Sequence, residues 1–226
     1  DLRPLMATLA SPSAPRPRGR PARPDAELHA AALNAATWLL LNEGYAAATL
    51  EAVAKRAGMA KKTVYRFAAN REDLVGQVVR GWTDTFEPVM AQEVASAADV
   101  LPALSRVLQA IADRALSSDA VGMFRLLTSD FPARQALLDV YQKNGIERGT
   151  AMLAAWFEKL AARGLIRIKQ PIETAGLLLA MVIAEPLRQM ALGLTPPLPE
   201  GSVQARIEAG VALFSGQGGV FEVKKG

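Results

Sequence analysis

Residues Thr49 to Leu74 read TLEAVAKRAGMAKKTVYRFAANREDL. Thr49 suits a helix N-cap, because its hydroxyl oxygen accepts from an amide without an intrahelical partner. Leu50, Val53, Ala54 and Ala57 then share one side of a short helix. Gly58 stops that helix: with no Cβ it takes the left-handed conformation of a C-terminal cap, and a second helix restarts near Ala60. Two short helices joined by a tight glycine turn make a helix-turn-helix. In the second helix Val64 and Phe67 point inward, leaving Lys61, Lys62, Thr63, Tyr65 and Arg66 outside. Between Ala52 and Arg71 the basic residues are Lys55, Arg56, Lys61, Lys62, Arg66 and Arg71, with no Asp or Glu among them. Such clustering is the electrostatic footprint of nucleic-acid binding, and Tyr65 adds a hydroxyl able to donate to a phosphate. Asn70 caps a third helix, with Glu72 and Asp73 in its first turn where negative charge suits the helix dipole.

Outside this stretch the chain, 226 residues with 50% hydrophobic content, suits a compact unit of two small parts. Alanine and leucine recur at helical spacing and alternating β-branched runs are missing, so an all-α fold is expected. The lack of cysteine removes disulfides, thiol catalysis and most zinc sites. The net charge of +4 sits in residues 1–24, which hold five arginines against Asp1 and leave 21 basic and 21 acidic residues elsewhere. A neutral body with a basic arm and a basic helix pair argues for a localised DNA contact. No secretory signal is evident, and cytoplasmic residence is the expectation.

The order T-x-E-x-V-A-x-x-A-G-M-A-K-K-T-V-Y-R-F followed by N-R-E-D-L resembles the DNA-binding domain of the tetracycline-repressor (TetR) family of bacterial transcription regulators. The match runs from about Leu28 to Leu74. It departs from the family at Lys62, where glycine is frequent, and at Ala68, where an aromatic is frequent and here stands one place earlier as Phe67. The resemblance implies an N-terminal three-helix DNA-binding domain, residues 25–71, and a larger helical effector-binding and dimerisation domain, residues 72–216. It implies a homodimer on a pseudo-palindromic double-stranded DNA operator. In such a dimer Lys61, Lys62, Thr63 and Arg66 lie at or near base edges, and Thr49, Tyr65 and Arg71 grip phosphates. The alternative is a helical small-molecule binding or carrier protein without specific DNA binding.

Along the chain, residues 1–24 are rich in proline, serine, alanine and arginine and are expected to be disordered. Arg18-Gly19-Arg20-Pro21 looks like the core of a minor-groove AT-hook, and a solvated basic tail fits equally well. Asp25 is placed to cap a first long helix with Leu28, Ala32, Ala36, Leu39 and Leu40 inward and Gly44 at its end, and Trp38 and Tyr45 are assigned to the same small core. The helix begun at Arg71 is expected to reach about Ala95, bent at Pro88. Asp99 is read as a cap, Ser117-Ser118-Asp119 and Ser129-Asp130-Phe131-Pro132 as breaks, and Asn144-Gly145 as an interruption. Thr174 to Ala184 is apolar all round yet short of the roughly 20 residues that span a bilayer, which points to burial against a second copy of the chain. The resemblance puts that interface in the helices at about 171–192 and 200–216. Residues 217–226 read as a flexible tail in which Val220, Phe221 and Val223 can dock.

Catalytic and metal constellations are not found. The single histidine, His29, has no companion ligands, and phosphate-loop, dinucleotide and H-E-x-x-H motifs are missing. No enzyme activity or cofactor is expected. Trp82, Phe86, Met90, Met123, Phe124, Leu127, Tyr141 and Trp156 each read singly as core. As a group, and with the resemblance, they suit a cavity for an apolar small-molecule effector. Glu185 has Arg188 or Arg125 as candidate salt-bridge partners, or else faces that cavity.

Overall fold

A computed structural model describes residues 23–215 and 221–223. The described residues are mainly helical. Helix α1 (Asp25–Asn42), α2 (Leu50–Ala57), α3 (Lys61–Phe67) and α4 (Arg71–Asp84) form a head. A body follows, built from α5 (Glu87–Met90), α6 (Val100–Ala115), α7 (Ser118–Thr128), α8 (Arg134–Tyr141), α9 (Arg148–Ala162), α10 (Pro171–Leu179), α11 (Glu185–Ala191) and α12 (Gln204–Ser215).

The head has its own core. Ala32, Ala36, Leu39 and Leu40 of α1 meet Val53 and Ala54 of α2, Val64 of α3, and Leu74, Val75, Val78 and Val79 of α4. Met123 and Leu127 of α7 and Leu137 of α8 enter the same core, so the expected division at residues 71 and 72 does not separate the packing. The contact is close: a Cβ added to Gly122 in α7 would lie 3.1 Å from Leu41 of α1. The second core sits between α6, α9, α10 and α12, with Leu104, Leu108, Phe157, Leu160, Leu178 and Ile207 essentially inaccessible to water.

Several local expectations change. Asp25 starts α1 without capping it, and its carboxylate instead faces Arg66. Trp38 is 38% exposed rather than core, and Arg56 stacks on it 3.2 Å from the ring centre. Tyr45 is buried as expected. The helix from Arg71 does not run to Ala95. It ends at Asp84, and Pro88 sits in the first turn of α5, where its missing N–H costs no hydrogen bond. Ser96, not Asp99, caps the turn before α6: the Asp99 carboxylate reaches back to the Ser96 amide at 3.0 Å in a capping box.

At Asn144-Gly145 the helix does not break. Gln142–Glu147 form a π-helical turn that carries α8 directly into α9. The wider turn presses Gly145 onto α4, where an added Cβ would stand 3.1 Å from Val79. A second π turn, Ala180–Ala184, joins α10 to α11. Two short strands, β1 (Ile166–Ile168) and β2 (Phe221–Val223), pair antiparallel with Ile168 opposite Phe221, so this part of the expected tail is docked.

Candidate nucleic-acid interface

The helix-turn-helix is assembled by two local devices. Thr49 Oγ1 accepts from the Ala52 amide at 3.1 Å, closing the start of α2. Gly58 adopts φ 64° and its N–H reaches the carbonyls of Ala54 and Lys55, which turns the chain at once into α3. Ala60 precedes α3 with no side chain to cap it. Val64 and Ala68 are buried, while Phe67 is half-buried, with the His29 ring 5.1 Å away. This anchoring leaves Lys61, Lys62, Tyr65 and Arg66 exposed and Thr63 half-buried on the outer face.

That face is less purely cationic than its sequence suggests. Glu51, one residue before the acid-free window, accepts from the Tyr65 hydroxyl at 2.8 Å and lies 3.9 Å from Lys61 Nζ. The Tyr65 hydrogen bond holds the Glu51 carboxyl below its ordinary pKa, and the same bond pushes the phenol up. Arg66 pairs with Asp25 across 2.7 Å. Lys62 makes no ion pair with a described residue and stands free in solvent. Neither Glu51 nor Asp25 was expected at this face, because both become its partners only when α1 and α2 fold beside α3.

Arg71 differs from the expected phosphate grip. Its guanidinium lies 4.0 Å from the centre of the Tyr45 ring, donates to the Tyr45 carbonyl, and has a buried Nε without a partner. The Tyr45 hydroxyl in turn donates to Glu72. Burial first, and that hydrogen bond second, push the Tyr45 phenol up to about 12. Arg71 is turned into the head because Tyr45 supplies both a ring face and a carbonyl there. Arg18 and Arg20 lie outside the described residues. Arg23, the first described residue, donates to the Gly58 carbonyl at 3.3 Å, so the chain leaves the arm beside the glycine turn.

The eight apolar residues expected to surround an effector are divided. Phe86, Met90 and Trp156 are buried in the body core, with Phe124 packed on it. Met123 and Leu127 are buried in the head core, with Trp82 and Tyr141 packed on that one. Two clefts open nearby. One, of about 590 Å³, lies between α4 and α8 with its π turn, and is lined by polar groups including Asp73, Gln77, Arg80 and Lys143. The other, of about 460 Å³, is walled by Leu33 and Trp38 of α1, Val78 and Trp82 of α4, Arg114 of α6 and Asp119 of α7. Of the eight, only Trp82 lines either. Glu185 forms the salt bridge, not a cavity wall: Arg188 donates to it at 2.8 and 2.7 Å and Gln189 at 2.9 Å, holding its carboxyl at about 2. Arg125 instead donates to the carbonyls of Met190 and Ala191. Among the described residues no cluster of His, Asp or Glu is arranged to hold a metal.

The model of the AefR-like transcriptional repressor C-terminal domain matches residues 102–217, and that of the bacterial regulatory proteins of the tetR family matches residues 32–78. The chain belongs to the TetR family. The TetR transcriptional regulator of Agrobacterium tumefaciens shares its fold with a TM-score of 0.66 at 18% identity, over 84% of this chain and 91% of that one. The flavonoid-responsive regulator FrrA aligns with a TM-score of 0.60 at 22% identity, over 82% and 94% of the two chains. NalD of Pseudomonas aeruginosa, the secondary repressor of the MexAB-OprM multidrug efflux pump, gives 0.59 at 18%, over 83% and 96%. Comparison with curated proteins finds no match. As a TetR-family protein the chain is a DNA-binding transcription regulator. Among the described residues no helix is long and apolar enough to cross a membrane.

Proposed function

We propose that this TetR-family regulator is a homodimeric repressor that binds a pseudo-palindromic operator and is released by an apolar small molecule. The observation that carries the operator part is the free outer face of α3. Lys61, Lys62, Thr63 and Tyr65 project from a helix whose opposite side is locked into the head by Val64. A helix held in that way enters a major groove, and a dimer fixes the distance between two such helices. Lys62, with no internal partner, reads base edges together with Thr63. Tyr65 and Arg66 give up Glu51 and Asp25 for DNA groups. Arg23 beside Gly58 starts the arm on the DNA-facing side, within reach of a minor groove.

The dimer is supported by the apolar residues that α10 and α12 leave uncovered. Leu177 is 52% and Leu213 67% exposed on the two segments expected to pair. An effector is supported by one similar protein whose name records a response to a small molecule, the flavonoid-responsive regulator FrrA. Release follows if the effector binds best to a dimer whose heads are wrongly spaced.

The test is a footprint on the DNA upstream of the protein's own gene, followed by competition with variant operators. A symmetric protected site with two half-sites one helical turn apart is expected. Lys62→Ala is expected to change preference among operators by about 1 to 3 kcal/mol. A uniform loss on every sequence would overturn the role given to Lys62, and absence of any protected site would overturn the repressor.

A further inference from the structure

The cleft between α1, α4, α6 and α7 holds an arginine that forms no ion pair among the described residues. Arg114, in the last turn of α6, lays its guanidinium 4.6 Å from the centre of the Trp82 ring. Its Nε is buried and bonds nothing, and none of the ion pairs among the described residues includes it. Burial holds its pKa below the usual arginine value, with the charge of Asp119 opposing that shift from farther off. Arginine nonetheless stays protonated in proteins, so this is a partly desolvated cation, in no ion pair among the described residues, in the wall of an open cleft.

The rest of the wall selects what would satisfy it. Leu33, Leu41 and Val78 give apolar surface, Trp82 gives a ring, and the Trp38 ring has one face covered by Arg56. Arg114 is the one cation and Asp119 the one anion among the described lining residues. A single guanidinium matches one carboxylate through its fork of N–H groups, whereas a phosphate dianion would leave a charge uncompensated beside Asp119. The volume of about 460 Å³ suits a small organic molecule.

We propose that this cleft is a binding site for a small amphipathic carboxylic acid with a flat aromatic body, its carboxylate on Arg114 and its ring against Trp82. The site touches α1 of the head and α6 and α7 of the body. Those helices also pack directly, through Leu41 against Gly122. A molecule lodged there binds both parts at once, so its affinity depends on the angle between them. By reciprocity, occupancy changes operator affinity. This last step rests on the repressor proposed above, but the binding site does not.

The experiment is calorimetric titration of the full chain with 2-naphthoate and with the neutral 2-naphthamide, beside an operator titration on the same preparation. The acid is expected to saturate one site per chain and to bind at least about tenfold tighter than the amide, the margin of a charge-assisted hydrogen bond. Arg114→Gln is expected to erase that margin while the variant still unfolds cooperatively, since it removes a desolvated charge together with the stack on Trp82. Asp119→Asn, which leaves Arg114 in place, is expected to tighten the acid several-fold and leave the amide unchanged. Equal binding of acid and amide, or the same margin in Arg114→Gln, overturns the site. If that happens while operator binding is intact, only the cleft proposal fails. If the acid binds through Arg114 but no operator is bound, the repressor fails and the cleft stands.

Discussion

Arg71 illustrates how one side chain changes its task on folding. Counted along the sequence it is one of six basic residues near the recognition helix, yet it stacks on Tyr45 and donates to that residue's carbonyl. Arg71→Gln is therefore expected to lower stability by about 1 to 2 kcal/mol through the lost stack and hydrogen bond, with little change in the salt dependence of DNA binding. Urea unfolding beside anisotropy titrations at several salt concentrations separates the two. Glu51 is the reverse case, an acid that the folded head places against Lys61 and Tyr65. Glu51→Gln removes a negative charge from the surface proposed to meet DNA, so tighter binding to every duplex is expected, most visible at low salt. Tyr45 gives a pH signature. Its folded pKa, about 12, lies above the ordinary value near 10, so its stabilising contribution is complete below pH 10 and is lost as pH rises from 10 through 12. Alkaline melting of Tyr45→Phe is expected to fall less steeply across that window.

At the scale of the element, the helix-turn-helix was legible because its signals are local. A cap, a glycine and a four-residue spacing sit within one or two turns of what they control. Thr49 and Gly58 perform the roles their chemistry suits, and Gly58→Ala is expected to cost about 1 kcal/mol or more by forcing a Cβ into the left-handed region. A lowered urea midpoint with an unchanged slope is the outcome to look for. The helix from Arg71 was less legible. Its apolar spacing runs on past Asp84, and the break at Thr85–Phe86 has no glycine to mark it. Thr83, Asp84 and Glu87 there are all gathered by Arg148, from 61 to 65 residues away. The π turn at Gln142–Glu147 was equally hidden. Asn144-Gly145 reads as a break in sequence, but folded, Asn144 donates to the Val140 carbonyl at 2.9 Å and accepts from Arg80 at 3.2 Å, which holds the helix together.

For the whole molecule the decisive quantity is which apolar surface remains uncovered. Leu177 and Leu213 stay exposed although their helices are among the most apolar in the chain, and a second copy is the proposed cover. Replacing both with glutamate is expected to yield single chains at micromolar concentration in sedimentation and to abolish tight operator binding. Each leucine forfeits about 1.5 to 3 kcal/mol of burial, and each charge opposes its own desolvation. If the doubly substituted chain stayed dimeric, the interface would lie elsewhere. Sequence by itself determined the all-α class, the caps and glycine turn of the recognition unit, and the face that α3 shows to solvent, because each depends on chemistry within about two turns of helix. It also carried the family. Only the tertiary structure decided that Asp25 and Glu51 neutralise part of that face, and that Arg71 serves Tyr45. It likewise divided the eight bulky apolar residues between two cores and left Arg114 in a cleft of its own. Those outcomes rest on contacts between residues far apart in the chain, and periodicity gives the direction of a side chain without naming what it will meet.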